Sequence, residues 1–417
     1  MKIEKVFYSV ATLALCLGLA ASCRPGGSPK DHKVILLGVD ALDWEMVDAL
    51  RSRGFLPNLD RLINKGVSAQ LDTNDEGGSA VYWTTIATGQ KRTKHGIMDF
   101  VYKDTQSGDI NPVTSNQRKT KAFWNILSEN NVSVGVTGWY VTWPAEKVNG
   151  FMVSSYFTWT DAQPTVRGMV YPDEAKMIYP PSLAAEVKDA VKQAELSYQK
   201  NIRQIIPLSS PAQRGPLVVK MEWSIMSDFM FAEVGTSLYR KLRPQVMGLY
   251  FGAVDVSGHL FSWKKAKRTK RMIAQRGADI QKNCYLAADE LIGRTLAVVD
   301  EGTTVILLSD HGLMRGEHTN NGVFIMSGPD IKQGLRLEKR VGLTDICPTL
   351  LYRVGLPVAE DMDGRVFLDA FSPEYVKAHR VKTVSSYGPR TNFSEKPIKS
   401  NFDSRIIERL KTLGYLK

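Results

Sequence analysis

Cysteine is scarce in this chain, four in 417 residues, and no two have the spacing of a metal finger. A disulfide-stapled scaffold is not expected either. Only Cys284 and Cys347 are free to pair once an N-terminal leader and Cys23 are set aside, and Cys347 falls in a helix-like segment that suits a small buried apolar side chain. The N-terminal apolar stretch, Val6 to Leu19, falls short of the ~20 residues a spanning helix needs. Nothing repeats at a fixed period, which argues against a solenoid or propeller, and no nucleic-acid-binding motif is present. Histidine is also sparse, at six.

What is there suits a large globular fold. Hydrophobic residues make up 43% and charged residues 23% of a chain long enough for one large domain or two ordinary ones. The formal charge of +11 is spread along the chain except for the dense run Lys264–Arg271. That run reads as a solvated helix start or loop, and binding to a nucleic-acid duplex is not expected. Lys2 and Lys5 precede the short apolar stretch, so residues 1–22 read as a signal peptide. Leu19-Ala20-Ala21-Ser22-Cys23 resembles the lipobox of bacterial lipoproteins, although alanine stands three residues before the cysteine. The resemblance implies acylation at Cys23, a tether over residues 23–32, and a lipid-anchored place in the cell envelope. A soluble periplasmic or secreted form is the alternative.

Three apolar runs end in groups that bind metals: VILLGVD (34–40), VMGLYFGAVDVSGH (246–259) and VILLSDH (305–311). Each reads as a buried parallel strand delivering a carboxylate or imidazole to one rim of a sheet. Further strands are expected at Val67–Leu71, Val132–Thr137, Gly150–Ser155 and Gly322–Ser327. Helices are expected at Trp44–Arg53, Leu59–Lys65, Lys121–Glu129, Leu183–Glu195, Gly277–Val299 and Leu343–Val354. The alternation predicts an α/β fold, a mostly parallel central sheet with helices on both faces. Residues 158–241 break the rhythm and read as a cap insertion. A catalytic domain over 33–371 and a C-terminal tail over 372–417 complete the division.

Asp40, Asp255, His259, Asp310, His311 and His318 mix carboxylate and imidazole, a set that suits Zn²⁺ better than Ca²⁺ or Mg²⁺. Ser79 follows Gly77 and Gly78 and opens a helix-like segment, as either an N-cap or a nucleophile at a helix N-terminus. Leu37-Gly38-Val39-Asp40, Leu56-Pro57-Asn58-Leu59, Ser79 ahead of Thr85-Ile86-Ala87-Thr88-Gly89, Lys94-His95-Gly96-Ile97, Asp255-Val256-Ser257-Gly258-His259, Ser309-Asp310-His311-Gly312 and Gly316-Glu317-His318 occur in that order. The chain thereby resembles the alkaline phosphatase superfamily, in particular its type I phosphodiesterase and nucleotide pyrophosphatase branch, over about 33–370.

The resemblance implies two divalent ions, zinc with manganese as the alternative. One would be held by Asp40, Asp310, His311 and Ser79, the other by Asp255, His259 and His318. It implies a small-molecule phosphoester substrate and a phosphoserine intermediate at Ser79. His95 reads as a structural histidine outside this set. Phe100 stands where nucleotide pyrophosphatases carry a phosphate-holding asparagine, and no Arg or Lys clamp for a terminal phosphate is evident, which tilts the expectation towards diesters. Val81, where sulfatases need proline, disfavours a sulfatase. The alternatives are a phosphomonoesterase or phosphonate hydrolase, or a surface binding protein that keeps the metals without turnover. Trp139, Tyr140, Trp143, Tyr156, Phe157 and Trp159 would either stack on substrate or pack the core.

Overall fold

The computed structural model describes residues 32–158, 174–207, 215–261 and 271–416. The leader, Cys23, Trp159 and residues 264–270 of the basic run lie outside them. Nine strands form the central sheet: β1 (Val34–Val39), β2 (Gly66–Asp72), β3 (Val134–Thr137), β4 (Gly150–Val153), β5 (Ile178–Tyr179), β6 (Val246–Phe251), β7 (Thr304–Leu308), β8 (Gly322–Ser327) and β9 (Leu335–Gly342). Their order is β9-β2-β8-β7-β1-β6-β3-β4-β5. Only β8 and β5 run against the rest. The sheet is therefore mostly parallel, as the alternating pattern predicts.

Side-chain alternation along the strands builds two cores. Ile35, Leu37 and Val39 enter one apolar cluster and Val34 and Leu36 the other; Val305 and Leu307 part from Ile306 and Leu308 in the same way. The Ser79–Thr88, Phe123–Glu129 and Ile346–Arg353 helices supply the second cluster, and the remaining large helices the first. Cys284 and Cys347 lie in different clusters, both buried and free.

Two of the longer elements among those that escaped the sequence reading are a helix and an edge strand. The Pro216–Leu242 helix is buried along most of its length, and a helix apolar on every side shows no 3.6-residue period. Edge strand β9 is mostly exposed and lacks an apolar run. Of the stretch expected as an insertion, the described part includes the Ala184–Ile205 helix, packed with Pro216–Leu242 into the first core. The C-terminal segment is tied down as well. Arg390 pairs with buried Glu146 at 3.0 Å, Asn116 and Gln117 donate to the carbonyls of Lys396 and Glu395, and the Asp403–Leu413 helix buries Ile406, Leu410 and Leu413. No helix among the described residues is long and apolar enough to cross a membrane.

His95 is fully buried and holds its loop, in keeping with the structural role expected of it. Its Nδ1 accepts from the Ile97 amide at 3.1 Å. Thr85 gives its hydroxyl proton to Asp75, so its oxygen accepts from His95 Nε2 at 3.1 Å. Burial, and then the nearby Arg118 charge, push the imidazole down to about 3 from 6.5. A neutral folded histidine stabilises the fold fully above pH 6.5, and that stability is lost as pH falls towards 3. The contribution is on the order of 4 kcal/mol. Chemical denaturation between pH 7 and 3.5 should show a shallower loss for His95→Gln than for the parent; parallel curves would remove His95 from the acid response.

Candidate metal centre

Asp40 and Asp310 meet because of strand register. Gly38 on β1 pairs with Leu308 on β7, so two residues later each chain presents a carboxylate at the same sheet edge, about one strand spacing (~4.8 Å) apart. His311 follows at once. Asp255 and His259 arrive differently from the strand-end expectation. The run 246–259 is a strand only to Phe251, and from Ala253 to Leu260 it is a helix, which puts the two residues four apart on one face. Asp228 helps to cause the change. Its carboxylate accepts from the amides of Gly252 at 2.8 Å and Ala253 at 2.9 Å, satisfying donors that a helix start leaves open. Burial raises this carboxyl to about 7, against the pull of those two amides.

His318 arrives on a hairpin. Gly312–Met314 pairs with Glu317–Thr319 across Arg315 and Gly316, both at positive φ (55° and 79°), as a two-residue turn of this kind requires. Asp43 pins the hairpin to the end of β1. It accepts from Thr319 Oγ1 at 2.5 Å and Asn321 Nδ2 at 2.9 Å, while capping the Trp44–Arg51 helix through the Glu45 amide. Helix capping thus falls to Asp43 and leaves Asp40 for other work.

The donor atoms converge. His259 Nε2 lies 3.2 Å from Asp255 Oδ1 and 3.0 Å from His318 Nε2. His311 Nε2 lies 3.4 Å from Asp40 Oδ1 and 3.6 Å from Asp310 Oδ2, and its ring stacks on His318 at 3.8 Å. Asp255, His259 and His318 form one trio with donor atoms within 4.8 Å; Asp40, Asp255 and His311 form another. Asp255 belongs to both, so the two loci adjoin.

Five of these atoms are buried without a hydrogen-bond partner: Asp40 Oδ1, Asp255 Oδ1, both Asp310 oxygens and His311 Nε2. Each such orphan costs ~1–3 kcal/mol. The Gly312 carbonyl accepts from His311 Nδ1, which turns the lone pair of Nε2 towards the carboxylates. Burial and the Asp255 charge push Asp40 up, and burial and Asp40 drive Asp310 well up. Asp255 resists burial through the charge of His259, 3.2 Å away, and stays low. Partial desolvation among the neighbouring rings, reinforced by the His311 charge, lowers His318 to about 3 even though the side chain is exposed to solvent. Divalent cations would satisfy the orphans and reverse the repulsion at once, so the residues present fit the expected ions.

The sequence reading missed the outer hydrogen bonds. Tyr250 and Trp83 donate to Asp40 Oδ2 at 2.6 and 3.2 Å, and Tyr415 donates to Asp255 Oδ2 at 2.8 Å. Gly38 makes room for Trp83, since a Cβ there would stand 2.5 Å from the indole. These aromatics belong to no motif, and no sequence signal singles them out.

Ser79 is buried and is the first residue of its helix; Gly78 holds the N-cap position without a side-chain cap. The serine hydroxyl is therefore not the cap. One turn further on, Trp83 reaches Asp40 and Tyr82 lies edge-on to His311 at 6.0 Å, so the Ser79 helix runs alongside the donor cluster.

A mostly parallel sheet whose edge gathers three aspartates and three histidines defines an alkaline phosphatase-like scaffold. Solved structures share the fold: wild-type alkaline phosphatase PafA at TM-score 0.55 and 12% identity, covering 83% of this chain and 99% of that one, and a 2-O GAG sulfatase at 0.52 and 12%, covering 86% and 76%. The chain belongs to the type I phosphodiesterase / nucleotide pyrophosphatase family, whose profile matches residues 34–350. Curated relatives match locally. Arylsulfatase K of Homo sapiens is 33% identical over 93 residues, 20% of this chain and 17% of its own length. A 2,3-bisphosphoglycerate-independent phosphoglycerate mutase of a Synechococcus strain is 38% identical over 98 residues, 19% and 18%. The chain thus spans under a fifth of the length of each.

Removing an outer hydrogen bond from a ligating carboxylate typically weakens metal binding 10–100-fold. Zinc titration against a competing chelator should show a loss of that size in Tyr415→Phe and Tyr250→Phe. Unchanged affinity in both would mean that these hydroxyls do not orient the carboxylates.

Proposed function

We propose that this protein is a two-metal hydrolase of phosphodiester or nucleotide pyrophosphate bonds, with Ser79 as nucleophile. The observation that carries the reading is the convergence of buried, unpartnered donors from β1, β7 and the Asp255 helix with His259 and His318 beside the Ser79 helix. Asp40, Asp310 and His311 would hold one ion with the serine oxygen, and Asp255, His259 and His318 the other. Two divalent cations bound there would supply a cheaply deprotonated hydroxyl and neutralise phosphoryl charge.

The chain's own groups do the rest. Ser79 attacks phosphorus in line and expels the first alcohol, and water then attacks the phosphoserine from the side that alcohol has left. The N-terminus of the Ser79 helix favours the anion. Asp228 and Asp43 hold the helix and hairpin that carry the donors, while Tyr250, Trp83 and Tyr415 fix carboxylate orientation.

One observation favours a second reading, a phosphomonoesterase or phosphonate hydrolase. The C-terminal helix brings Arg409 to the wall of the pocket that Asp255 lines, a cation that the sequence reading did not find. Export and a lipid anchor at Cys23 complete the proposal, on the strength of the leader and lipobox-like segment. Detergent-phase partitioning that survives Cys23→Ala would count against the anchor.

Zinc-loaded protein should hydrolyse bis-p-nitrophenyl phosphate and lose at least 10³-fold in turnover on Ser79→Ala or chelation. Turnover that persists in either case would remove the mechanism. p-Nitrophenyl phosphate on the same preparation separates the readings: a higher kcat/KM for the monoester would favour the second.

A further inference from the structure

We infer that the pocket beside Asp255 receives the organic substituent of the phosphoester, and that it selects an apolar group of about one ring, aryl or short branched alkyl, over a nucleoside. The inference rests on the hydrolase reading above and concerns the substrate of that same site. The pocket encloses about 140 Å³ and is walled by Phe100, Tyr140, Val256, Leu410, Leu413 and Tyr415, with Asp255 among its lining. Asp255 also has an atom within both candidate donor trios. A group attached to phosphorus at those loci therefore has this pocket as its neighbour.

Size comes first. An apolar cavity of about 150 Å³ accommodates benzene, and a nucleoside, a base joined to a ribose, is well beyond that.

Polarity points the same way. Several polar side chains in the wall are engaged within the protein, and the Tyr156 hydroxyl is the exception, buried without a partner. Asp228 accepts from the Gly252 and Ala253 amides, the Tyr250 hydroxyl is given to Asp40, and the Tyr415 hydroxyl to Asp255. Arg409 lies 3.8 Å over the Trp223 ring and donates to Ser224. Nucleobase recognition needs hydrogen-bonding edges offered to the ligand; here rings and aliphatic carbons predominate.

Part of the wall lies outside the stretch that matches the family. Leu410, Leu413 and Tyr415 lie beyond residues 34–350. Tyr415 also lies 4.6 Å from Phe100 and 4.9 Å from His259, ring centre to ring centre. The C-terminal helix thereby sets the size of the group the metal centre can serve.

The test uses full-length, zinc-loaded Ser79→Ala protein and three probes titrated calorimetrically: methylphosphonate, phenylphosphonate and adenosine 5′-monophosphate. Phenylphosphonate should bind at least tenfold tighter than methylphosphonate, a difference of 1.4 kcal/mol, and adenosine monophosphate no tighter than methylphosphonate. On the same background, Leu413→Trp and Leu410→Trp should each cut the phenyl-to-methyl ratio below threefold, with melting curves confirming the fold. If both tryptophan variants fail to fold, the ligand series on the parent decides alone. Equal binding of phenyl and methyl probes, or tighter binding of the nucleotide, overturns the inference while leaving the hydrolase reading standing. Failure of all three probes to bind overturns both.

Discussion

Three buried aspartates cannot all hold negative charge within a few ångströms of one another unless positive charge stands between them. Asp40, Asp255 and Asp310 are in that position; His259 offsets the charge of Asp255, while oxygens of Asp40 and Asp310 and the His311 nitrogen are left without a hydrogen-bond partner. Left alone, burial and repulsion drive Asp40 and Asp310 towards their neutral forms. Divalent cations bound there would keep these carboxylates ionised and complete their unpartnered oxygens.

Much of the surrounding structure holds this unfavourable arrangement in place. Asp228 starts one helix, Asp43 fastens one hairpin, and the Gly312 carbonyl orients one imidazole. None of these touches the locus through a donor atom, yet each fixes where a donor atom stands. The apolar layers on both faces of the sheet give these supports a rigid base, and a metal centre tolerates little slack in its ligands.

The C-terminal segment is brought up to the site. The Arg390–Glu146 pair and the backbone contacts near residues 395 and 396 route it past the Asn116 loop. Its last helix then reaches the Asp255 pocket. A tail with little apolar periodicity thus becomes part of the wall around the reacting centre.

From the sequence, most of the sheet, the order of its motifs and the six candidate metal-binding side chains were legible, because apolar runs bounded by carboxylates and histidines carry both a strand signal and a chemical one. The sequence did not show that Asp255 and His259 ride on a helix, since a buried strand and a buried helix are both continuously apolar and Asp228, which helps to separate them here, lies 24 residues upstream of Gly252. Nor did it reveal the hydrogen bonds from Tyr250 and Tyr415, whose partners lie 210 and 160 residues away. Residue type and local pattern fix which chemistry a chain carries; which hydroxyl meets which carboxylate depends on the packing of elements distant in sequence, and only the tertiary structure decided that.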